Sequence, residues 1–305
     1  MFKPVMIEST VVARPTARRL PAAELAAILV VCTWGVNFVF LKLALAQFDV
    51  VVFNLLRFAA MVVLGWLVLL WQKRQGGFSV RIQRIDRRRV VLSGILGFTL
   101  YISLSMVGVS LSTGFSAALL ITTAPLWAAL LLWAMKLEKI SRRRAAGLLI
   151  AFLGVAVFVG EAGSKVGLGD VVNLVAAFCY AAYNVVNKPL NGKYPPTVLT
   201  AWTLTIGALP VLLFSAPSLV HQHWAAVDSR GWEILAWSVV APVYLAWTIW
   251  SWASGKLGVS RTTAFMFLVP VVGGITAVAL TGERFGLVKL AGAGLILAGM
   301  VLLRD

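Results

Sequence analysis

Apolar residues in this chain neither alternate nor keep to one helical face. They run on for 18 to 23 residues at a time, and short polar connections separate the runs. A helix needs about 20 apolar residues to cross a bilayer core, and a helix satisfies its own backbone there. The pattern therefore predicts ten transmembrane helices, over 22–44, 50–72, 90–109, 114–136, 143–160, 168–188, 197–217, 231–253, 260–280 and 285–303. The fold class expected is an all-α membrane protein, with the lipid bilayer as its first partner.

The polar positions orient the bundle. Place the tail 1–20 in the cytoplasm, and 21 of the 27 Lys and Arg residues fall on that side. Lys165, Arg230 and Arg284 fall outside, while Lys42, Arg57 and Lys289 fall within spans. Cytoplasmic loops carry such an excess. Both termini are expected in the cytoplasm, and the location expected is a bacterial-type inner membrane.

The pattern also repeats. Glu24, Trp34 and Lys42 recur 146 residues later as Asp170, Tyr180 and Lys188. Pro125, Glu138, Gly147 and Gly154 recur 145 residues later as Pro270, Glu283, Gly292 and Gly299. Recurrence at a fixed offset marks a duplicated unit. Residues 21–160 and 161–305 then form two five-helix repeats. Five is an odd number, so the second copy enters the membrane upside down. Inverted repeats are a device of secondary transporters, which hold their solute near the midplane between the repeats.

Composition removes other classes. The chain is 60% hydrophobic and 12% charged, against about 25% charged in soluble domains. Its net charge of +16 follows from the loop bias, so no nucleic-acid partner is expected. Cys32 and Cys179 lie in apolar runs, and His221 and His223 share one loop. These give neither a disulfide nor a metal spacing, and no cofactor is expected. The apolar run after Pro21 is too long for a signal peptide. No catalytic triad, HExxH or paired catalytic carboxylate is present, so the chain does not read as an enzyme.

The stretch "TWGVNFVFLK", the Pro–13–Glu element and the pair "AAGLLIAFLGVAVFV" and "LAGAGLILAGMVLL" resemble the EamA repeat of the drug/metabolite transporter superfamily. The resemblance spans roughly residues 21–305. It implies ten helices in a 5+5 inverted repeat around a central cavity, lined mainly by helices 1, 3, 4, 6, 8 and 9. The chain is similar in particular to the YddG-type exporters, which implies export of aromatic and other amino acids. A carrier of drugs, cationic compounds or sugar derivatives is the alternative, and a membrane-embedded enzyme or receptor the remote one. The chain is expected to work as a monomer on a small-molecule substrate.

The candidate solute contacts fall on faces. Tyr180, Tyr183, Asn184 and Asn187 share one side of helix 6, at the i, i+3, i+4 and i+7 spacing. Helix 1 offers Trp34 and Asn37, helix 3 Tyr101 and Ser105, and helix 8 Tyr244, Trp247, Thr248 and Ser251. Pro125 and Pro270 sit near mid-membrane, where they are expected to kink helices 4 and 9 and open the cavity wall. Arg57 lies inside helix 2, either to bind a substrate carboxylate or to snorkel outward towards Asp49. Gly147, Gly154, Gly292 and Gly299 are expected to pack helices 5 and 10. No Asp or Glu lies mid-span, so the simplest cycle carries no stoichiometric proton. Glu24 and Glu138, near span ends, remain the candidates for one.

Overall fold

The computed structural model describes residues 21–76, 79–137, 139–160, 164–190, 193–257 and 265–303. Its regular elements are helices. They are α1 (Pro21–Ala44), α2 (Val50–Gly76), α3 (Arg84–Leu111), α4 (Gly114–Ala134), α5 (Arg142–Gly160), α6 (Ser164–Asn187), α7 (Pro196–Ser215), α8 (229–257), α9 (Leu268–Thr281) and α10 (Leu287–Leu303). Seven of the helices are long and apolar enough to cross a membrane, and α9 and α10 are shorter apolar helices. Turn chemistry starts several of them. Asp49 Oδ1 accepts from the N–H groups of Val51 (2.8 Å) and Val52 (3.2 Å) at the start of α2. Thr113 Oγ1 accepts from the Ser116 N–H (3.1 Å) at the start of α4, and Asp228 Oδ1 from the Gly231 N–H (2.8 Å) at that of α8. Each such cap satisfies amide groups that the helix cannot reach.

Packing runs mostly between early and late helices. α5 lies along α10, α3 along α6, α1 against α9 and α8, α2 against α7, and α4 against α6. Small residues allow the closest of these approaches. A Cβ on Gly154 would stand 2.6 Å from the Ile296 nitrogen, and one on Gly292 2.7 Å from the Phe158 nitrogen. Around this seam Leu119, Leu120, Leu126, Phe158 and Ile296 are fully buried.

Two helices change winding in mid-course. α3 passes through a π segment at Ile95–Leu100, and α8 through another at Val240–Leu245. The second begins 145 residues after the first. A π turn inserts one residue and re-aims the side chains after it, and it is frequent at functional sites.

The two prolines act differently from the expectation. α4 is interrupted just before Pro125. A first helix ends at Ile121, Thr122 and Thr123 form a turn, and a second helix starts at Ala124 with Pro125 in its first turn. Proline costs little there, because its missing N–H has no intrahelical partner anyway. The hydroxyls of Thr122 and Thr123 donate back to the carbonyls of Leu119 and Leu120, both at 2.6 Å. Pro270 is likewise the third residue of α9, just after a 3-10 turn at Phe265–Phe267. It borders an apolar crevice of about 390 Å³ with Phe115, Leu119, Gly274 and Ala293, a lining without charge. Pro125 is exposed.

On the connection side, Asp86 ties two loops together. Its carboxylate accepts from the Tyr194 hydroxyl (2.5 Å) and pairs with Lys193 Nζ (2.6 Å). The carboxylate raises the Lys193 ammonium above the ordinary lysine range. That contribution is complete below the ordinary lysine pKa and is lost as pH rises through the raised one. Asp86→Asn should therefore speed amide exchange in 79–86 and 193–194 at neutral pH. Because Lys193 is well exposed, global thermal unfolding should hardly move. Unchanged exchange in both loops would show that the contact does not order them.

Candidate functional site

The π segment of α3 delivers Tyr101 against α6. The Tyr101 and Tyr180 rings lie 4.7 Å apart at 34°, and Tyr180 stacks on Tyr183 at 6.1 Å and 21°. Phe98 meets Tyr183 edge-on at 6.0 Å. Glycine at position 97 leaves room for that ring, since a Cβ there would overlap it. Three of the expected tyrosines thus form one aromatic column between α3 and α6. Asn184 is exposed, and its amide donates to the Tyr180 carbonyl at 2.8 Å. Asn187 is buried one turn beyond, and its amide donates to the Tyr183 hydroxyl at 3.4 Å.

Arg57 faces inward. The residue is 7% exposed, and its guanidinium donates to the Ser238 carbonyl at 3.3 Å and to Met106 Sδ at 3.6 Å. Its Nε has no hydrogen-bond partner. Asp49 Oδ1 caps α2, and no carboxylate pairs with Arg57 among the described residues. Tyr101 stands within electrostatic reach of it. A guanidinium offers five donors in a planar fork that matches a carboxylate. Here Nε–H is buried and uncommitted, and the two terminal nitrogens meet only a sulfur and one carbonyl. Asn54, one turn before Arg57 on α2, donates to Ser103 Oγ at 3.0 Å while its Oδ1 stays unpartnered, and Ser105 is buried on α3.

The other expected residues distribute as follows. Trp34 Nε1 donates to the Pro242 carbonyl (2.9 Å), inside the π segment of α8, and its ring meets Trp250 at 5.1 Å. Asn37, one turn away, is buried with Oδ1 unpartnered. Tyr244 does not join the column: its hydroxyl donates to the Met61 carbonyl at 2.5 Å, and its ring packs in the cluster between α2 and α7. The side chains of Trp247, Thr248 and Ser251, and the whole of Glu138, lie outside the described residues. Among the described residues, no three His, Cys, Asp or Glu side chains are grouped to hold a metal.

Sequence reasoning passed over Asp170 and Asn173. Asp170 had a place only as the repeat partner of Glu24. Both residues are fully buried near the start of α6. The signal was present in the periodicity: 170, 173, 177, 180, 184 and 187 trace one face of α6.

A model of the EamA-like transporter family matches residues 21–160 and again residues 167–304. The chain is 30% identical to a "probable amino-acid metabolite efflux pump" of Salmonella typhimurium, over 90% of this chain and 92% of that one. It is 27% identical to a "probable terminal-alkyne amino-acid exporter" of Streptantibioticus cattleyicolor, over 93% of this chain and 94% of that one. A solved crystal structure shares the fold with a TM-score of 0.60 at 19% identity, covering 93% of this chain and 97% of that chain.

Proposed function

The chain belongs to the EamA-like transporter family, and from that premise we propose that it exports small organic solutes, amino acids including aromatic ones first among them, by alternating access. Arg57 beside the tyrosine column is the observation that carries this reading. An aromatic amino acid has two handles, a carboxylate and a ring. A buried guanidinium without a counter-ion among the described residues suits the first, and Tyr101 and Tyr180 suit the second. The same charge argues against the alternative, a carrier of cationic compounds, since a fixed positive group at the site repels them.

Two five-helix repeats, 21–160 and 161–305, of opposite topology supply the moving parts in this reading. Its support is the cross-pairing of helices: α1 meets α8 and α9 as α6 meets α3 and α4, while α2–α7 and α5–α10 pair with their own counterparts. The π segments in α3 and α8 are a second sign of the same symmetry. In this reading the ten helices cross an inner membrane, and the excess of basic loops on one side supports both termini in the cytoplasm. Nothing in the cycle requires a cofactor or a second copy of the chain.

The test is flux in liposomes containing the purified chain, with a panel of labelled amino acids, a cationic drug and a sugar derivative. Phenylalanine or tyrosine should move and the drug should not. Tyr101→Ala and Tyr180→Ala should each raise the half-saturating phenylalanine concentration about two- to tenfold, the loss of about 0.5–1.5 kcal/mol of ring contact. Alanine transport should respond far less. Equal losses for both solutes would assign the column to helix packing.

A further inference from the structure

At the end of the bundle where α1 stops and α6 starts, four charged groups from four segments come together, one of them fully buried and three half-buried. Asp170 of α6 is completely buried, and neither of its carboxylate oxygens has a hydrogen-bond partner. Ser116, Lys289 and Glu283 are its polar surroundings. Glu283, on the connection from α9 to α10, has a buried Oε1 that is also unpartnered. Thr113, Lys289, the Phe115 backbone and Lys42 surround it. The lysines are occupied elsewhere: Lys42 Nζ donates to the Ser110 carbonyl at 2.7 Å, and Lys289 Nζ sits 4.9 Å from the centre of the Phe158 ring. No ion pair joins these four groups among the described residues, although acids and bases are neighbours.

Asp170 has only the Ser116 hydroxyl beside it, and Glu283 the Thr113 hydroxyl and the Phe115 backbone; a carboxylate so thinly hydrogen-bonded is costly when charged and inexpensive when it carries a proton. Two neighbouring carboxylates also resist charging together. Burial pushes the Glu283 carboxyl above the ordinary range, against the pull of Thr113, Lys289, the Phe115 backbone and Lys42. Asp170 shares a helix with the tyrosine column. Asp170, Asn173, Ala177 and Tyr180 lie on one face of α6, so Asp170 is about 15 Å along the helix from the aromatic column, at 1.5 Å per residue. Asn173 stands between them with Oδ1 unpartnered, while its amide donates to Ser112 Oγ at 3.0 Å.

We propose that Asp170 and Glu283 form a proton-binding site that couples solute export to proton entry. The proton arrives from the side that the loop charges assign as outside, binds the carboxylate pair and leaves inward along the Asp170–Asn173 face, while solute moves out. Loss of the proton restores a charge that draws Lys42 and Lys289 in and seals this end. The inverted counterpart at the other end has the same ingredients: Glu24 and Lys188 at an offset of 146 from Asp170 and Lys42, and Arg144 at 145 from Lys289. The inference rests on the transport reading above, but the site itself can be tested without any solute.

The solute-free arm is infrared difference spectroscopy of the purified full chain between acidic and neutral pH. A protonated-carboxyl band should appear in the wild type, vanish in Asp170→Asn and shift in Glu283→Gln. The flux arm uses labelled phenylalanine in liposomes with and without an imposed pH gradient. The gradient should raise phenylalanine accumulation several-fold in the wild type, and that ratio should fall to one in Asp170→Asn. Identical spectra for wild type and Asp170→Asn would overturn the site. So would a wild type that carries phenylalanine but ignores the gradient. If phenylalanine does not move at all while the band behaves as expected, the substrate reading fails and the site stands. If Asp170→Asn does not fold, Asp170→Glu decides: it must retain both a shifted band and the gradient response, and loss of either refutes the assignment.

Discussion

Arg57→Met should cut the flux of a carboxylate-bearing solute about ten- to a hundredfold and leave the bundle as stable as before, or more so. The two halves of that result come from one observation. The guanidinium is buried, has no counter-ion among the described residues, and makes only one long hydrogen bond to a carbonyl and one to sulfur. A charge in that state is a burden to the fold. Replacing buried charge by an apolar side chain of similar length is often neutral or stabilising. For the solute, however, the fork supplies charged hydrogen bonds, each contributing about 1.5–3 kcal/mol, which is about ten- to a hundredfold in affinity. Arg57→Lys should fall between, since it keeps the charge and loses the fork. Flux in liposomes and thermal unfolding in detergent separate the roles. Retained flux with a lower unfolding temperature would make Arg57 a structural residue and remove the carboxylate handle.

The helices are legible because a bilayer punishes every alternative. Continuous apolar runs can only be spans, and the expected boundaries lie within a few residues of the observed ones for α1, α5 and α7. Sequence and structure part where local chemistry overrides the run. Pro125 reads as a mid-helix kink because the apolar pattern continues through Thr122 and Thr123. Their hydroxyls take over the backbone bonding, so the helix can end and restart there. Tyr244 shares a sequence face with Trp247, yet the π segment beneath it turns the ring towards Met61 and away from the column. Neither π segment has a sequence signature, so nothing could place that rotation in advance. Asp170 is hidden for a different reason. Distance to the span end is a poor guide to burial, which depends on what packs above. The start of α6 lies so close to the end of α3 that a Cβ on Gly169, the residue before Asp170, would stand 2.7 Å from the Ser112 nitrogen. The tyrosine column, by contrast, follows directly from spacing on α6 and the repeat offset.

Gly299→Val should lower the stability of the whole chain by about 3 kcal/mol or more, at the upper end of overpacking costs. That is a large part of the roughly 5–15 kcal/mol that holds a typical protein folded. A Cβ at position 299 would stand 2.5 Å from both the Ala151 nitrogen and the Gly147 oxygen. These are backbone atoms of α5 and cannot rotate away, so the two helices must part along the seam that Gly154 and Gly292 also hold. Valine adds a branch at the same point, which increases the separation required. α10 also contains its own control. A Cβ at Gly294 would have no neighbour within 4 Å, so Gly294→Ala meets open space and gains the better helix propensity of alanine. Thermal unfolding of the two variants in one detergent should therefore show a fall for Gly299→Val and no fall for Gly294→Ala. If both variants fall alike, the sensitivity belongs to α10 as a whole and the glycine contact with α5 is not what joins the helices.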